Sequence, residues 1–433
     1  MPNRRPALLL VGGLAVAWNQ RWLAAARARG LELLVLDAPG PHTETLLAGR
    51  DTPGHPLADV VEAALVPADD LAGLADRASA WALEHDIRGV CCLREEYVEG
   101  SALVADLLGV RSPGLRAARV CRNKLLQRRY LADWSPASAL VPAAGRTELA
   151  AAWDGFPVVV KPVGRLASSG VRLVADRAEL LAGLAGYEPD ETLLFEQRAE
   201  GPEYSVESLS LHGEVHYLGT TEKRTTETVG DYFVEMGHTT PAPGLDGPAR
   251  ERLYAVHRAV LARLGFDTGM AHAEYRIGPD GRIVLIEIAA RPPGDSIMAL
   301  HWLATGRPLE DAVVAVAVGE RPDPVRPSRY ARQVYLPHRP GVLADLTVDP
   351  GLETEPQWFD PAVVRAQVAD CAAPGDLSAL RCVVALKPAG TTLHPIRQSG
   401  DRAAMFVVDA ATPQALDRIE ERCLAAIALR TRD

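Results

Sequence analysis

The chain lacks the features that mark membrane, secreted and nucleic-acid-binding proteins. No apolar run in its 433 residues approaches the length of about 20 residues that crosses a bilayer. Its six cysteines show neither metal-ligand spacing nor the density of a disulfide scaffold. No cluster of lysine and arginine interleaved with aromatic residues offsets the formal net charge of −10. These absences predict a soluble cytoplasmic protein without membrane or nucleic-acid partners, and they leave room for a local basic site that binds a small anion.

Several familiar sequence motifs are also incomplete. Basic residues precede an apolar run at the N-terminus, as in a signal peptide, but the run is short and ends at Gly12-Gly13. A first β-strand that enters a turn is therefore the better interpretation. The two glycines fall short of the dinucleotide-binding fingerprint, the loop after Lys161 lacks P-loop spacing, and nothing repeats at a solenoid period.

The hydrophobic pattern predicts an α/β and α+β multidomain protein. A length of 433 residues with 48% hydrophobic content favours two or three subdomains. Residues 1–115 alternate strand and helix, which predicts a Rossmann-like parallel sheet. Residues 116–327 begin with a basic amphipathic helix predicted over residues 120–134 and then change to an antiparallel pattern. After a linker rich in proline and arginine, residues 328–433 form a small α+β subdomain.

The stretch from Ala271 to Gly294 combines two β-prone runs with a Gly-Pro-Asp-Gly turn, which predicts a hairpin. If Gly278 faces Gly281, His272 lies opposite Glu287 and Leu285 lies opposite Glu274. The two glutamates then share one face as diagonal neighbours. Because the second run is apolar, two buried carboxylates there predict a metal site, with Mg²⁺ as the preferred ion. An ion pair of Glu287 with His272 or Arg291 is the alternative.

Four further features carry candidate chemistry, each with a plainer alternative. Lys161 precedes a small-residue loop that can approach phosphate oxygens, or it is a surface lysine beside an ordinary hairpin turn. The segment Glu196–Ala199 with Glu203 can read adenine and ribose, or it is an acidic turn. The guanidinium of Arg291 can bind a carboxylate or a phosphate through two N–H groups, or it forms an ion pair with Glu287. Glu235 and His238 can hold an amino group or move a proton, or lie in a solvated loop.

The order of these parts along the chain resembles the ATP-grasp superfamily. The set begins with Lys124, continues through Lys161 with its loop and the acidic segment, and ends at Glu274, Glu287 and Arg291. The resemblance covers most of the chain. Within the superfamily, the segments 221–226, 233–238 and 271–274 look most like the L-amino-acid (dipeptide) ligase branch of carboxylate–amine ligases.

This resemblance implies an ATP-grasp fold with a Rossmann-like N-terminal domain and a C-terminal α+β lid-like segment. It also implies the following roles: Lys124 and Lys161 contact ATP phosphates under a loop that contains Ser168, Ser169 and Gly170; Glu196, Gln197 and Ala199 belong to the segment that reads adenine; Glu203 binds ribose; Glu274 and Glu287 bind Mg²⁺, with Mn²⁺ as a substitute; Arg291 stabilises the reacting group; and Glu235 and His238 line an amino-acid pocket.

The activity implied is that of an ATP-dependent carboxylate–amine ligase. Such an enzyme joins a small-molecule carboxylate to an amine through an acyl phosphate and releases ADP and phosphate; a homodimer would be ordinary for the family. A biotin-carboxylase-like enzyme and a non-catalytic nucleotide-binding regulator are the alternatives. One residue departs from the family pattern: Ala289 stands where many members have an asparagine, which puts the number of Mg²⁺ ions in doubt.

Overall fold

A parallel sheet forms the N-terminal part of the computed structural model, which describes residues 4–228, 230, 232–358 and 376–432. Its four strands lie in the order β3-β2-β1-β4. The central strand β1 is buried from Ala7 to Val11, as expected for a sheet covered on both faces, which confirms the strand predicted at the N-terminus. The elements are β1 (Arg5–Val11), α1 (Arg21–Ala28), β2 (Glu32–Asp37), α2 (Pro41–Ala48), β3 (Val60–Leu65), α3 (Leu71–Glu84), β4 (His85–Cys92) and α4 (Val98–Leu108).

A second sheet of four antiparallel strands follows, in the order β5-β8-β6-β7. Two short helices precede it where the sequence pattern predicts one helix over residues 120–134. That prediction is wrong because the first helix ends at Cys121 and Asn123 caps the second: its side chain accepts a hydrogen bond from the backbone N–H of Leu126. The elements are α5 (Leu115–Cys121), α6 (Lys124–Tyr130), β5 (Ser138–Val141), α7 (Arg146–Ala152), β6 (Val158–Pro162), β7 (Arg172–Val174), α8 (Arg177–Gly183) and β8 (Leu193–Gln197).

A nine-stranded sheet forms the centre of the molecule, in the order β13-β12-β9-β10-β11-β14-β19-β17-β16. Its first five strands and the helices beside them come from residues 203–317. These elements are β9 (Glu203–Leu211), β10 (Glu214–Thr225), β11 (Glu235–Thr240), α9 (Gly247–Leu264), β12 (Gly269–Ile277), β13 (Ile283–Ala289), α10 (Ile297–Thr305) and α11 (Leu309–Ala317).

The C-terminal residues extend this central sheet. Strand β14 pairs with β11 in an antiparallel register, so β14, β19, β17 and β16 continue the sheet rather than form a detached appendage. A small sheet, β18-β15-β20, packs beside them. The elements are β14 (Tyr330–Tyr335), β15 (Gly341–Val348), β16 (Gln357–Trp358), β17 (Ala379–Ala385), β18 (Thr392–Leu393), β19 (Ala404–Ala410), α12 (Pro413–Ala426) and β20 (Ile427–Arg432).

Helix α11 joins the N-terminal sheet to the central sheet. Val313, Val314 and Val316 pack in one core with Leu8 of β1 and Leu209 of β9. The domain boundaries predicted after residues 115 and 327 stay predictions. The core around α11 contains residues from both sides of residue 115, and the central sheet contains strands from both sides of residue 327. Among the described residues, no helix has the length and apolar character that spanning a bilayer requires.

Candidate active site

Two adjoining chambers lie where the central sheet, the second sheet and the C-terminal residues meet. The larger has a volume of about 310 Å³ and the smaller about 100 Å³. They share Ala167, Ser168, Glu235, Glu274 and Glu287. The larger chamber is otherwise lined by Glu95, Leu166, Lys223, His272, Ala289, Arg291, Gly294, Asp295, Ile297, Ser399 and Arg402. Glu274 and Glu287 therefore stand at the junction of the two chambers.

The hairpin that carries these glutamates forms as predicted, but its predicted register is wrong. The N–H of Gly278 bonds the carbonyl of Arg282, so the turn is longer than predicted, and a β-bulge follows between Glu274 and Tyr275. Glu274 consequently pairs directly with Glu287, and His272 pairs with Ala289. The two carboxylates share a face as predicted, yet as directly opposed residues, whose Cβ atoms lie about 4.5–5.5 Å apart in an antiparallel pair.

A lysine neutralises each of the two opposed carboxylates. The ammonium of Lys124 lies 3.2 Å from Oε1 of Glu287 and donates to the carbonyl of Arg165 at 2.8 Å. Glu274 accepts a short hydrogen bond from Lys223. Burial by itself raises the pKa of Glu274, but the nearby charge of Lys223 outweighs it and lowers the pKa to about 2. The alternative ion pair of Glu287 with His272 or Arg291 is thus replaced by one with Lys124.

Lys223 is a buried lysine that contacts three carboxylates. Its ammonium lies 2.5 Å from Glu235 and 4.0 Å from Glu203, and it bonds Glu274. Burial lowers the pKa of Lys223, but the charges of Glu235 and Glu274 outweigh burial and raise it well above the usual value. Glu203, Glu235 and Glu274 are close enough together to hold a cation. The ammonium of Lys223 already lies among these three carboxylates and supplies that positive charge.

Behind Glu274, His272 links the chambers to the sheet interior. Its Nε2 lies 3.3 Å from Oε1 of Glu274, and its Nδ1 lies 2.8 Å from Oε1 of the fully buried Glu207. Burial lowers the pKa of His272, but hydrogen bonds to Glu207 and Glu274 outweigh it and raise the pKa to about 9. The imidazole therefore lies between two carboxylates that both accept hydrogen bonds.

Lys161 is buried, so the alternative of a surface lysine is wrong. Its ammonium lies 2.5 Å from Glu196, whose other oxygen accepts from Nε of Arg128 at 2.7 Å. Because Arg128 shares the carboxylate, burial outweighs the attraction to Glu196 and lowers the pKa of Lys161 to about 8. Lys161 lines the smaller chamber together with Lys124.

The small-residue loop between β6 and β7 covers the junction of the chambers. Ala167 and Ser168 have φ values of 56° and 58°, and Gly170 has 73°, so the chain turns tightly in the left-handed region. Ser168 lines both chambers and Ser169 lines the smaller one. The carbonyl of Ala167 accepts a hydrogen bond from the N–H of Ser399 at 3.1 Å, so the loop contacts the C-terminal segment.

The acidic segment after β8 borders the smaller chamber through residues Gln197 to Ala199. The carboxylate of Glu196 is held by Lys161 and Arg128, so only the segment after it is free to face a ligand. Glu203 is buried at the start of β9, and its Oε2 accepts from Nε and Nη2 of Arg276 at 3.0 and 2.9 Å. Burial raises the pKa of Glu203 despite these cations. The alternative of a solvated acidic turn is therefore wrong for both glutamates.

Glu235 and His238 lie on strand β11, so the alternative of a solvated loop is wrong. Glu235 borders both chambers, whereas His238 is fully buried behind it and lies 3.2 Å from its Oε2. Burial raises the pKa of Glu235, but the charge of Lys223 and the hydrogen bond from His238 outweigh it and place the pKa well below the usual value. Beside them, Arg402 donates to both oxygens of Asp295, at 3.1 and 2.8 Å.

Arg291 lines the larger chamber and pairs with an acid from the N-terminal domain. Its Nε lies 2.5 Å from Oε2 of Glu95, and Nη1 donates to the carbonyl of Pro292 at 2.7 Å. Glu95 also pairs with Arg122 at 3.1 Å. The proposed bridge to Glu287 is thus replaced by a bridge to the N-terminal domain.

Sequence reasoning missed several residues of the larger chamber. Glu95 follows β4 at the carboxyl end of a parallel sheet, a position where ligands commonly bind, so that signal was available. Lys223 lies on β10 within the segment 221–226, and its neighbours in sequence do not indicate that it is buried among carboxylates. Asp295 and Arg402 are far from each other in sequence, and nothing local indicates that they meet.

The residues present fit a divalent cation and a nucleotide phosphate group. Two opposed carboxylates supply the hard oxygen ligands that Mg²⁺ prefers, and two lysine ammonium groups lie within the adjoining chamber. The smaller chamber also has apolar walls, from Val159, Val171, Phe233 and Ile286, that suit a flat base.

Comparison with known proteins identifies a domain family for the middle of the chain. Residues 154–299 match the family model of the ATP-grasp domain. An uncharacterized protein of Sinorhizobium fredii is 29% identical over 277 residues, which are 61% of this chain and 56% of that protein. The carbamoyl phosphate synthase large chain of Thermus thermophilus is 29% identical over 174 residues, 39% of this chain and 17% of that one. The chain therefore spans less than two thirds of the length of these relatives.

A solved structure shares the whole architecture. The L-amino acid ligase from Bacillus licheniformis superposes with a TM-score of 0.76 and 20% sequence identity, with 100% of both chains covered. At this identity the likeness concerns the fold. The predicted fold, with its parallel N-terminal sheet and its multi-sheet remainder, is confirmed.

Proposed function

We propose, on the premise that this chain carries an ATP-grasp domain, that it is an ATP-dependent carboxylate–amine ligase with an L-amino acid as one substrate. The observation that carries the proposal is the position of Glu274 and Glu287. They face each other at the junction between a chamber with two buried lysines and a chamber with two arginines. Such a junction is where a phosphoryl group would pass from a nucleotide to an acceptor.

The smaller chamber would hold ATP. Its apolar walls would contact the base, and the backbone of residues 197–199 would read the edge of adenine. Glu203 would accept from a ribose hydroxyl, and the hydrogen bonds from Arg276 to its carboxylate support this role. Lys124 and Lys161 would meet the phosphates, under the loop that contains Ser168, Ser169 and Gly170. Because the substrate carboxylate itself would attack the γ-phosphate, this end needs positioning and positive charge rather than a protein nucleophile.

The larger chamber would hold the acid and the amine. Mg²⁺ or Mn²⁺ bound by Glu274 and Glu287 would supply charge neutralisation for phosphoryl transfer. Arg291 would stabilise the negative charge of the acyl phosphate and of its adduct with the amine. Lys223 lies close enough to Glu274 to add a further positive charge on the same side. Glu235, oriented by His238, would hold the amino group of the amino-acid substrate.

A screen for phosphate release tests this function. The protein is supplied with ATP, Mg²⁺ and pairs of amino acids or other acids and amines. We expect ADP and phosphate only when both an acid and an amine are present, because the acyl phosphate needs an amine to react with. Formation of AMP and pyrophosphate would overturn the proposal, and release that depends on bicarbonate alone would favour a carboxylase.

Two variants check the assigned roles. Glu274→Gln and Arg291→Ala should each reduce kcat by about 10²–10³-fold, the usual loss when one preorganised charge contact to a transition state is removed. Glu222→Gln is the matched control: Glu222 pairs with Tyr204 on β9, and Tyr204 belongs to the core under α9 rather than to the chambers. If either test variant keeps full turnover while the control does too, the role of that residue is wrong.

A nucleotide-binding regulator is the second candidate, and Ala289 favours it. This residue lines the larger chamber directly opposite His272, where it supplies no ligand atom. Tight ATP binding without turnover across a broad panel of acids and amines would support a regulator over a ligase.

A further inference from the structure

Glu207 on strand β9 is a fully buried carboxylate whose oxygens are both saturated with donors. Oε1 accepts from Ser205 at 2.6 Å and lies 2.8 Å from Nδ1 of His272. Oε2 accepts from Thr221 at 3.0 Å and lies 3.0 Å from Nε2 of His301. A buried charge is costly unless it is paired and hydrogen-bonded, and four donors meet that requirement. The carboxylate is consequently fixed in one orientation.

The backbone around Glu207 is shaped to admit His301 from helix α10. On the neighbouring strand β10, Gly219 pairs with Glu207, and a Cβ at this position would clash with the ring of His301 and the hydroxyl of Tyr217. Only glycine therefore lets His301 reach Glu207. The hydroxyl of Tyr217 lies 2.7 Å from Nδ1 of His301 and completes the set. Because Glu207 is a carboxylate that only accepts, Nε2 of His301 donates to it.

His272 carries the effect of this cluster to the candidate cation site. On β12 it pairs with Glu207 across the ladder, and its two ring nitrogens face Glu207 and Glu274. Both partners are carboxylates, which only accept, so both nitrogens donate. Within the described part of the chain, His272 and Lys223 both bond Oε1 of Glu274. That arrangement directs Oε2 of Glu274 to a different partner.

We propose that Glu207 is a positioning residue for the cation site: it holds His272 so that one oxygen of Glu274 is occupied and the other is presented to the metal. His301 on helix α10 supports Glu207, and Tyr217 on strand β10 in turn holds His301, in the way that outer contacts orient metal ligands in other proteins. This inference rests on the proposed function, because the cation role of Glu274 is assigned there.

Equilibrium binding of ADP with and without Mg²⁺ tests the inference without turnover. The ratio is the dissociation constant of ADP without Mg²⁺ divided by the dissociation constant with Mg²⁺. It reports how strongly the bound cation tightens nucleotide binding. Glu207→Gln should reduce this ratio by about 10–100-fold, the usual cost of losing a contact that orients a metal ligand. The side-chain amide of glutamine has one oxygen that accepts hydrogen bonds and one nitrogen that does not. Whichever way this amide is oriented, two of the four donors around position 207 therefore lose their acceptor. Binding of ADP without Mg²⁺ should be unchanged.

Two further variants separate positioning from loss of stability. Gly219→Ala should also reduce the ratio, because it displaces His301 without altering a charged group, and it keeps the inference testable if Glu207→Gln does not fold. Ser208→Ala is the matched control: Ser208 on the same strand bonds the buried His257, at 2.8 Å, in a cluster that excludes Glu274. It should lower the melting temperature and leave the ratio intact.

The outcomes distinguish this inference from the proposed function. If Mg²⁺ does not tighten ADP binding to the unmodified protein, or if Glu274→Gln does not reduce the ratio, the cation role of Glu274 is wrong. If Glu274→Gln reduces the ratio but Glu207→Gln and Gly219→Ala both leave it unchanged, the positioning role of Glu207 is wrong. A reduced ratio in the folded variants, with the Ser208 control unchanged, supports it.

Discussion

The pKa of Lys161 depends on the fact that its carboxylate partner also contacts an arginine. Glu196 contacts both Lys161 and Arg128, so the attraction available to the lysine is too small to offset its burial, and its pKa falls to about 8. The ammonium is nevertheless the form that would meet a phosphate. Nucleotide binding at this site should therefore depend on pH.

We expect the affinity for ADP to decline as pH rises through about 8. Below that pH, Lys161 of the free protein is already protonated, so the affinity for ADP is constant. Above that pH, Lys161 must take up a proton when ADP binds, so the affinity falls by up to about tenfold per pH unit. Calorimetric titration of ADP across this range measures the effect. Lys161→Met should bind more weakly and lose this dependence. An unmodified protein with constant affinity from about pH 7 to about pH 9.5 would contradict the prediction.

Ala289 is the residue at which the chain departs from the ATP-grasp pattern. It lies directly opposite His272, with its side chain on the wall of the larger chamber. Ala289→Asn would add a carbonyl oxygen beside Glu287. We expect it to lower the Mg²⁺ concentration needed for half-maximal ADP release by roughly tenfold, because cation affinity follows the number of oxygen ligands.

Ala289→Leu is the control for this substitution, since it adds similar bulk without a ligand atom. It should leave the Mg²⁺ requirement unchanged or raise it. If the asparagine and leucine variants shift the requirement equally, position 289 does not contact a cation.

At the scale of elements, the break between helices α5 and α6 places a candidate phosphate ligand. Asn123 occupies the N-cap of α6, and Lys124 is the first residue of that helix. A single continuous helix, as the periodicity predicts, would rotate and displace Lys124. The cap is therefore as important to the site as the lysine itself.

Asn123→Ala should reduce the free energy of unfolding by about 1 kcal/mol, the typical value of an N-cap side chain. It should also weaken ADP binding, because the helix start that positions Lys124 becomes less ordered. Chemical denaturation and calorimetry measure the two effects. Asn123→Asp, which keeps the capping oxygen, should retain stability. Equal losses in the alanine and aspartate variants would show that the cap is not the cause.

At the scale of the whole molecule, helix α11 packs against both the N-terminal sheet and the central sheet. Gly89 on β4 lies against the carbonyl of Ala317 at the end of α11, where any Cβ would clash with that backbone atom. Glu95, which pairs with Arg291, follows the same strand. The closeness of sheet and helix thus also sets the position of one wall of the larger chamber.

Gly89→Val should therefore destabilise the protein by about 1–3 kcal/mol, the usual cost of forcing extra bulk into a packed contact. It should also raise KM for the acid or amine, because Glu95 and Arg291 move apart. Thermal unfolding and steady-state kinetics measure these effects. Gly247→Ala, at a helix start with open space around it, is the neutral control. If the Gly89→Val variant is destabilised but its KM is unchanged, the packing of the N-terminal sheet against α11 does not set the position of the chamber wall.

The sequence by itself determined which elements form and which residues carry charge into the interior. Alternation and turn residues predicted the N-terminal sheet and the hairpin. The rarity of acids in apolar strands marked Glu274 and Glu287. These features are local, since side-chain period and turn chemistry depend on neighbouring residues in the chain.

Only the tertiary structure decided how those charges are paired. The β-bulge that sets Glu274 opposite Glu287, the sharing of Glu196, and the bridges from Arg291 to Glu95 and from Arg402 to Asp295 all join distant parts of the chain. A one-residue change in register reverses which face a side chain occupies, and the bulge that sets the register here is not apparent from the alternation of residues. Charge pairing in this cleft is a property of the packed sheets, because burial makes each carboxylate depend on cations that other elements supply.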